Sequence, residues 1–167
     1  MANVEFQDFS VRVKEAMDDA IIAYLYEASG EIEAQTVRNS TPGKDYGGIQ
    51  AHNLWERSVD EKDKEATVGS KHEAAYWEEL GTGEYALNND GRKGWWIYVK
   101  GGEPKGGGKS YASKQEAEEG AAFLRRAKGL DAHVTNGSKP NRPLHRAFTS
   151  LKSALIRRAE QVLKGLD

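Results

Sequence analysis

The residues whose types and spacing come closest to a chemical motif form a glycine-rich run from Gly102 to Ser110, which ends in Gly-Lys-Ser as phosphate-binding loops do. Such a loop cradles phosphates with backbone N–H groups at the start of a helix. This run has one residue too many between its first glycine and the Gly-Lys-Ser, and Pro104 removes an N–H donor. We therefore expect no nucleotide site and interpret residues 101–112 as a glycine-rich loop.

The other side chains that could do chemistry are dispersed. No cysteine is present, so the chain has no thiol nucleophile, thiolate metal site or disulfide, and it has no Gly-x-Ser-x-Gly motif. The adjacent Glu78 and Glu79 lie on a short amphipathic stretch, and we interpret them as its solvated face. We therefore expect that the protein is not an enzyme and that it has no metal site and no cofactor. Four histidines are present, none at the i, i+4 spacing of metal ligands on a helix: His52, His72, His133 and His145.

Charge divides the sequence into two parts of opposite sign. Residues 1–90 hold 8 basic and 19 acidic residues, whereas residues 91–167 hold 16 basic and 7 acidic ones, which gives net charges of −11 and +9. Three interpretations stay open: the two parts face each other within one fold, one copy's acidic face meets the next copy's basic face, or the basic part binds nucleic acid. Contacts of the second kind are heterologous and can close into rings.

Non-specific nucleic-acid binding through the basic part is the alternative function. Arginine and lysine neutralise phosphates without reading sequence, but the chain shows no helix-turn-helix or RNA-binding motif and its net charge is −2. If the chain forms a ring, basic residues could instead line a channel and touch passing DNA weakly. The candidates to face DNA are Arg142, Arg146, Arg157 and Arg158.

Length and composition favour one folded domain. With 167 residues, of which 38% are hydrophobic and 30% charged, we predict a single domain over 1–167 with a thin core. The first residues lack the basic and apolar regions of a signal peptide, and no apolar run is long enough to span a bilayer. We therefore expect synthesis in the cytoplasm and no membrane partner.

Helical periodicity predicts three helices. Apolar residues recur at helical spacing from Val13 onwards. Ser113 and Glu116 form a capping box, and Gly129 is placed to end the helix that this box opens. Pro143 suits the first position of the last helix. The predicted helices span 8–37, 113–128 (an insert) and 143–165.

Strand signals are concentrated in a sheet region over 54–100. Residues 54–59 and 65–69 predict a hairpin, and residues 95–100 are rich in types that favour a pleated surface. Residues 130–134 alternate as another strand. The last two strands would be parallel if they were neighbours joined by a right-handed crossover, and the sequence leaves their order open.

These elements together predict an α+β fold. It would contain a mostly antiparallel sheet of about four strands, with the long N- and C-terminal helices on one face and an extra short helix in the insert. A structural turn is expected at Gly81-Thr82-Gly83, where either glycine can take a positive φ. The residues expected to pack sheet against helix, or to lie at a subunit interface, are Tyr76, Trp77, Leu80, Trp95, Trp96, Leu144 and Phe148.

Three short patterns together resemble the small neck and tail-completion proteins of long-tailed bacteriophages. The similarity runs over roughly residues 8–165, with Pro-Leu-His where that family usually reads Pro-Phe-Leu and with a longer glycine-rich insert. The patterns are Leu-x-x-x-Ser at Leu54–Ser58, a tyrosine followed by an acidic-apolar pair and Gly-Thr-Gly at Tyr76–Gly83, and Pro-Leu-x-x-Ala-Phe at Pro143–Phe148.

The resemblance implies a structural virion protein. Several copies, a hexamer being expected, would assemble as a ring at the junction of phage head and tail. The ring would complete the tail or join it to the head, with the head connector and tail tube proteins as partners. Tail terminator and head-closure protein stay open as variants of this role. The protein would be made in the bacterial host cytoplasm and would end in the neck or tail of the virion.

Overall fold

The structure is a computed structural model that describes residues 10–46, 48–100 and 108–165. The chain divides into two compact units. Nothing in this division tests the expectation of a single domain over 1–167, which stays a prediction. Unit 1 comprises Met1–Asn39, Trp55–Ser70 and Pro143–Asp167, and unit 2 comprises Ser40–Leu54 and Lys71–Arg142.

The α+β class is confirmed, with four α-helices and four antiparallel strands in the described residues. The strands form two separate two-stranded sheets, β1–β2 and β3–β4, where the sequence predicted one sheet of about four strands. Two short 3-10 helices, Ala51–Asn53 and Gly83–Tyr85, complete the regular structure. The main elements are α1 (Ser10–Asn39), β1 (Glu56–Asp60), β2 (Glu65–Gly69), α2 (Glu73–Leu80), β3 (Trp96–Val99), α3 (Lys114–Lys128), β4 (Ala132–Thr135) and α4 (Pro143–Lys164).

Unit 1 is built on the contact between α1 and α4. The Tyr24 hydroxyl donates to the Leu155 carbonyl at 2.7 Å, and the Asn39 amide donates to the Pro143 carbonyl at 3.1 Å. The two helices therefore run antiparallel, with the end of α1 beside the start of α4. The β1–β2 hairpin packs on α1, with Val59 opposite Ala66 in its register.

Gly30 allows the hairpin to approach α1 closely. The Arg57 guanidinium lies where a Cβ on Gly30 would stand. From there Arg57 donates to the Tyr26 carbonyl at 2.8 Å, and its Nε lies 3.3 Å from Glu33. A glycine in the middle of a helix, which lowers intrinsic helix stability, thus has a packing reason here.

Unit 2 contains α3 packed on the β3–β4 sheet through small residues. Ala117 and Ala121 are fully buried, and Gly120 lets Ile97 and Tyr111 come close to the helix backbone. Ser113 caps α3 by accepting a hydrogen bond from the Glu116 N–H at 3.2 Å, and Gly129 ends it with a φ of 61°. The predicted caps are confirmed.

β3 and β4 are neighbours, but they are antiparallel, so the expected parallel crossover is wrong. Trp96 pairs with Thr135 and Val99 with Ala132. The reason is that the chain first returns to the start of β3, where Tyr111 bridges Trp95. Helix α3 then runs along the sheet to the far end of β3, and β4 comes back from there. Residues 101–107 of the predicted glycine-rich loop lie outside the described residues, and 108–110 have no regular structure.

Candidate interaction sites

The Gly-Thr-Gly turn adopts a conformation that only glycine takes readily. Gly81 has a φ of 75° and Gly83 a φ of 62°, both in the region that disfavours L side chains. The Thr82 N–H donates to the Ser138 carbonyl, and the Glu84 N–H donates to the Asn136 carbonyl, both at 2.9 Å. The turn therefore pairs with the segment that follows β4.

Close approach imposes a second requirement on this turn. A Cβ on Gly81 would lie 2.8 Å from the Ser138 carbonyl oxygen, and one on Gly83 would overlap the Asn136 carbonyl oxygen and the Trp96 ring. Both glycines are thus fixed by conformation and by contact. A side chain here would have to displace backbone, which is more difficult than moving the end of a flexible side chain.

A buried carboxylate, Glu78, joins α2 to two distant segments of unit 2. Its side chain accepts from the Thr41 N–H at 2.9 Å, the Thr41 hydroxyl at 2.5 Å and the Asn141 amide at 2.7 Å. The Tyr46 hydroxyl donates to its other oxygen, and the Lys44 ammonium lies 3.5 Å away. We call this group of residues the Glu78 clamp.

The clamp corrects the interpretation of Glu78 and Glu79 as a solvated face, because Glu78 is 1% exposed. Glu78 follows Ala74 by four positions and Ala75 by three, so it shares the helix face of two buried alanines. That spacing was the signal that could have identified it. Its partners come from elsewhere in the chain, 32 to 63 positions away.

The hydrogen bonds to Glu78 also set its charge. Burial alone would raise the pKa of this carboxyl, but the donors Thr41, Tyr46 and Asn141 outweigh burial and lower the pKa to about 2. Burial and the hydrogen bond to Glu78 raise the pKa of Tyr46. Because the carboxylate is ionised and its oxygens are occupied by donors, it serves as a structural clamp and is poorly suited to accept a substrate proton.

The other predicted residues of α2 lie outside its buried face. Tyr76 is 44% exposed, donates to Asp90 at 3.1 Å and accepts from Asn88 at 2.9 Å. Trp77 is half-buried, with its ring centroid 6.4 Å from that of the clamp residue Tyr46, and Leu80 is also half-buried. Their assignment to a subunit interface stays a prediction.

Trp95 and Trp96, at the start of β3, are half-buried, and a cationic side chain lies near the ring of each. The Lys114 ammonium lies 5.8 Å from the Trp95 ring centroid, and the Arg92 guanidinium lies 5.1 Å from the Trp96 ring centroid. Arg92 also donates to the Ser110 hydroxyl at 2.9 Å. These contacts tie the residues around Ser110 to the sheet.

Unit 1 contains an apolar groove of about 390 Å³, which we call the α1 groove. Helix α1 forms its floor, strand β2 one side and helix α4 the other. The hydroxyl of the lining residue Ser29 is already hydrogen-bonded, because it donates to the Leu25 carbonyl at 2.6 Å. The lining residues are Leu25, Ala28, Ser29 and Ile32 of α1, Ala66 and Val68 of β2, and Leu144 and Phe148 of α4.

The structure thus brings Leu144 and Phe148 together as one side of a groove. Leu144 is half-buried, whereas Phe148 is 48% exposed. Ile156 and Leu163, further along α4, are 49% and 51% exposed. The apolar sector of α4 therefore extends beyond the part that packs on α1 and is left partly open in the single chain.

The four candidate DNA-facing arginines differ in their surroundings. Arg158 forms ion pairs with Glu27, at 2.7 Å, and with Glu31, both on α1. Arg142 belongs to unit 2 and has a φ of 56°, and its buried Nε has no hydrogen-bond partner. Arg146 and Arg157 lie on exposed positions of α4. At Arg158 the acidic and basic parts of the sequence meet within one fold, which is the first of the three interpretations of the charge split.

Within the described residues, no group of three or more His, Cys, Asp or Glu side chains is arranged to hold a metal ion. None of the helices in that part of the chain combines the length and apolarity needed to cross a membrane.

Comparisons of the chain with protein-family models, with characterised proteins and with solved structures find no match.

Proposed function

We propose that this protein is a structural component of the bacteriophage head–tail junction. Copies would assemble as a ring, with a hexamer expected, that completes the tail or joins it to the head connector. The protein would be made in the bacterial host cytoplasm and would be incorporated in the neck or tail of the virion. The head connector and the tail tube would be its partners.

The observation that carries the proposal is the partly open apolar sector of α4 beside the α1 groove. Phe148, Ile156 and Leu163 are each about half exposed on the same helix. Phe148 is continuous with the apolar lining of the α1 groove, and contiguous apolar surface, unlike single exposed residues, is typical of interaction sites. A ring would give each copy a neighbour that removes this surface from water.

The resemblance to neck and tail-completion proteins supports the same conclusion through the residues that carry it. Its Pro-Leu-x-x-Ala-Phe pattern opens α4 and supplies both α4 residues of the groove, Leu144 and Phe148. Its Gly-Thr-Gly pattern forms the turn whose glycines are fixed by conformation and by contact. The residues that carry the resemblance therefore lie in a turn that requires two glycines and along one side of the open α1 groove.

Immunogold labelling of purified virions tests the proposal. Negative-stain electron microscopy with an antibody against this chain should place gold at the neck, and a preimmune serum should not. Unlabelled virions would contradict the proposal. If the purified protein then retarded DNA in a gel and lost that effect as salt rises, the nucleic-acid alternative would replace it.

A further inference from the structure

The dipeptide Asn136-Gly137 directly follows β4 and pairs with the Gly-Thr-Gly turn. Glycine is required at its second position, because Gly137 has a φ of 122° and an added Cβ would overlap the Thr82 carbonyl oxygen. The Asn136 carbonyl accepts from the Glu84 N–H at 2.9 Å, and the Asn136 side-chain amide donates to the Glu84 carboxylate at 3.0 Å. Contacts in the folded chain therefore hold both members of the dipeptide.

The same dipeptide is chemically labile. Asparagine is a thermolabile residue, and a following glycine favours its deamidation because glycine has no Cβ to hinder ring closure. In this reaction the Gly137 nitrogen attacks the carbonyl carbon of the Asn136 side chain. The side-chain nitrogen leaves as ammonia with the proton that the Gly137 nitrogen gives up, and a succinimide ring forms. Water then opens the ring and leaves aspartate or isoaspartate at this position.

Two hydrogen bonds of the folded turn have to be lost in this reaction. The Gly137 N–H donates to the Thr135 hydroxyl oxygen at 3.0 Å, and loss of its proton removes that bond. The Asn136 amide nitrogen is the donor to Glu84, and its departure as ammonia removes the second bond. Because one hydrogen bond changes an equilibrium by about five-fold, we expect the two together to slow ring closure by about ten-fold or more.

The reaction products do not fit the closed turn. An aspartate at position 136 would replace the amide donor with a carboxylate, which would face the Glu84 carboxylate and repel it. The Gly94 N–H holds the other oxygen of Glu84 at 3.3 Å, so this carboxylate is fixed in the turn. An isoaspartate would add a main-chain atom immediately before Gly137, which already lies close against the Thr82 carbonyl. Both products therefore oppose the pairing of the turn with the segment after β4.

We propose that Asn136 is a deamidation site that the closed turn protects, and that deamidation in an opened chain prevents the turn from closing again. A chain in which this turn stays open then loses the native pairing irreversibly. The inference rests on contacts within unit 2 and does not depend on the head–tail role.

Peptide mass spectrometry after incubation in water enriched in heavy oxygen measures the reaction. The heavy oxygen enters when the ring opens, so it marks the deamidation that occurs during the incubation. The wild-type protein is incubated folded and in urea at the same mildly alkaline pH. We expect deamidation at Asn136 to be about ten-fold slower, or more, in the folded protein. Equal rates in the two states, or no reaction in urea, would overturn the proposal.

Two substitutions test whether these particular contacts protect the site. Thr135→Val keeps the branched shape but removes the acceptor of the Gly137 N–H, and Glu84→Ala removes the acceptor of the Asn136 amide. Each should speed the reaction of the folded protein about five-fold and leave the rate in urea unchanged. Thr67→Val, the same change at an exposed strand residue of the β1–β2 hairpin, is the matched control and should leave both rates at the wild-type values.

Folded-state rates of Thr135→Val and Glu84→Ala that both equal the wild-type rate would overturn the protective role of these contacts. Circular dichroism shows whether each variant is folded. Where one is not, the other variant and the comparison of folded with unfolded wild type decide.

Asn136→Asp reproduces one of the products and tests the second part of the proposal. We expect it to lower the urea midpoint by about 1 M, because the amide donor is lost and two carboxylates face each other. Asn53→Asp, the same change at an exposed asparagine, should keep the wild-type midpoint. A wild-type midpoint for Asn136→Asp would contradict the claim that deamidation prevents the turn from closing.

Discussion

The two units of this protein are stabilised in different ways. Unit 2 combines glycines held against backbone with a buried carboxylate whose oxygens are bonded to donors from other segments. Unit 1 combines a long helix pair with a hairpin and leaves an apolar groove open beside the exposed Phe148. The difference indicates that the constrained glycines and the buried carboxylate of unit 2 find their partners within the chain. Unit 1 instead retains an open apolar surface that is suited to a partner.

The largest expected effect is at the Gly-Thr-Gly turn, where Gly83→Ala should lower the free energy of unfolding by about 3–5 kcal/mol. The added Cβ has to take a positive φ and also overlaps the Asn136 carbonyl and the Trp96 ring. Gly43→Ala is the matched control, because Gly43 has a φ of 68° but no atom within 4 Å of an added Cβ. It should lose only the conformational part, about 1 kcal/mol. Equal losses in urea unfolding would show that contact adds nothing at Gly83.

The Glu78 clamp comes next. Glu78→Gln keeps the shape of the side chain but places an amide among the donors from Thr41, Tyr46 and Asn141, so we expect a loss of about 3 kcal/mol in chemical denaturation. Glu73→Gln, the same change at an exposed position of α2, should lose less than about 1 kcal/mol. Similar losses for both variants would mean that the clamp contributes no particular stability.

Acid should release the clamp. The pKa of Glu78 is lowered from 4.5 to about 2 in the folded protein, so its contribution is complete above about pH 4.5 and is lost as the pH falls towards 2. The free energy of unfolding should decrease by up to about 3 kcal/mol over this range from Glu78 alone. Denaturant midpoints measured at pH 5 and pH 2.5 should therefore differ less in Glu78→Gln than in the wild type. An identical acid response in the two proteins would contradict the assignment.

The smallest effect is expected at a glycine of unit 1. An added Cβ on Gly30 meets the end of the Arg57 side chain, which can move, and alanine also favours the helix by about 1 kcal/mol. Gly30→Ala should therefore change the free energy of unfolding by less than about 1 kcal/mol in either direction. A loss as large as that of Gly83→Ala would remove the contrast between the two units.

Local signals predicted the helices and their ends. The capping box at Ser113, the terminating Gly129 and the proline that starts α4 are confirmed because each depends on only a few neighbouring residues. The predicted helices over 8–37 and 143–165 are observed at Ser10–Asn39 and Pro143–Lys164. Helix ends follow from backbone groups that must be satisfied nearby, and those groups can be identified in a sequence.

Pairing between distant segments could not be predicted in the same way. The strands of the predicted sheet exist, but their division into two sheets depends on contacts that no local pattern encodes. The Glu78 partners are likewise distant in sequence, and an isolated glutamate is usually exposed. The α1 groove combines residues from α1, β2 and α4, and only Leu144 and Phe148 among them were predicted packing or interface residues.

The most direct test of the central claim, that the open surface of unit 1 serves assembly, compares Phe148→Asp with Ser153→Asp. Both residues are exposed on α4, but Phe148 lines the α1 groove and Ser153 does not. Each variant would be supplied in the host to a phage lacking the wild-type gene, and its amount per purified virion would be measured by quantitative mass spectrometry. We expect both to keep the wild-type melting temperature within a few degrees, with Phe148→Asp depleted about ten-fold from virions and Ser153→Asp incorporated normally. Normal incorporation of Phe148→Asp would contradict the account.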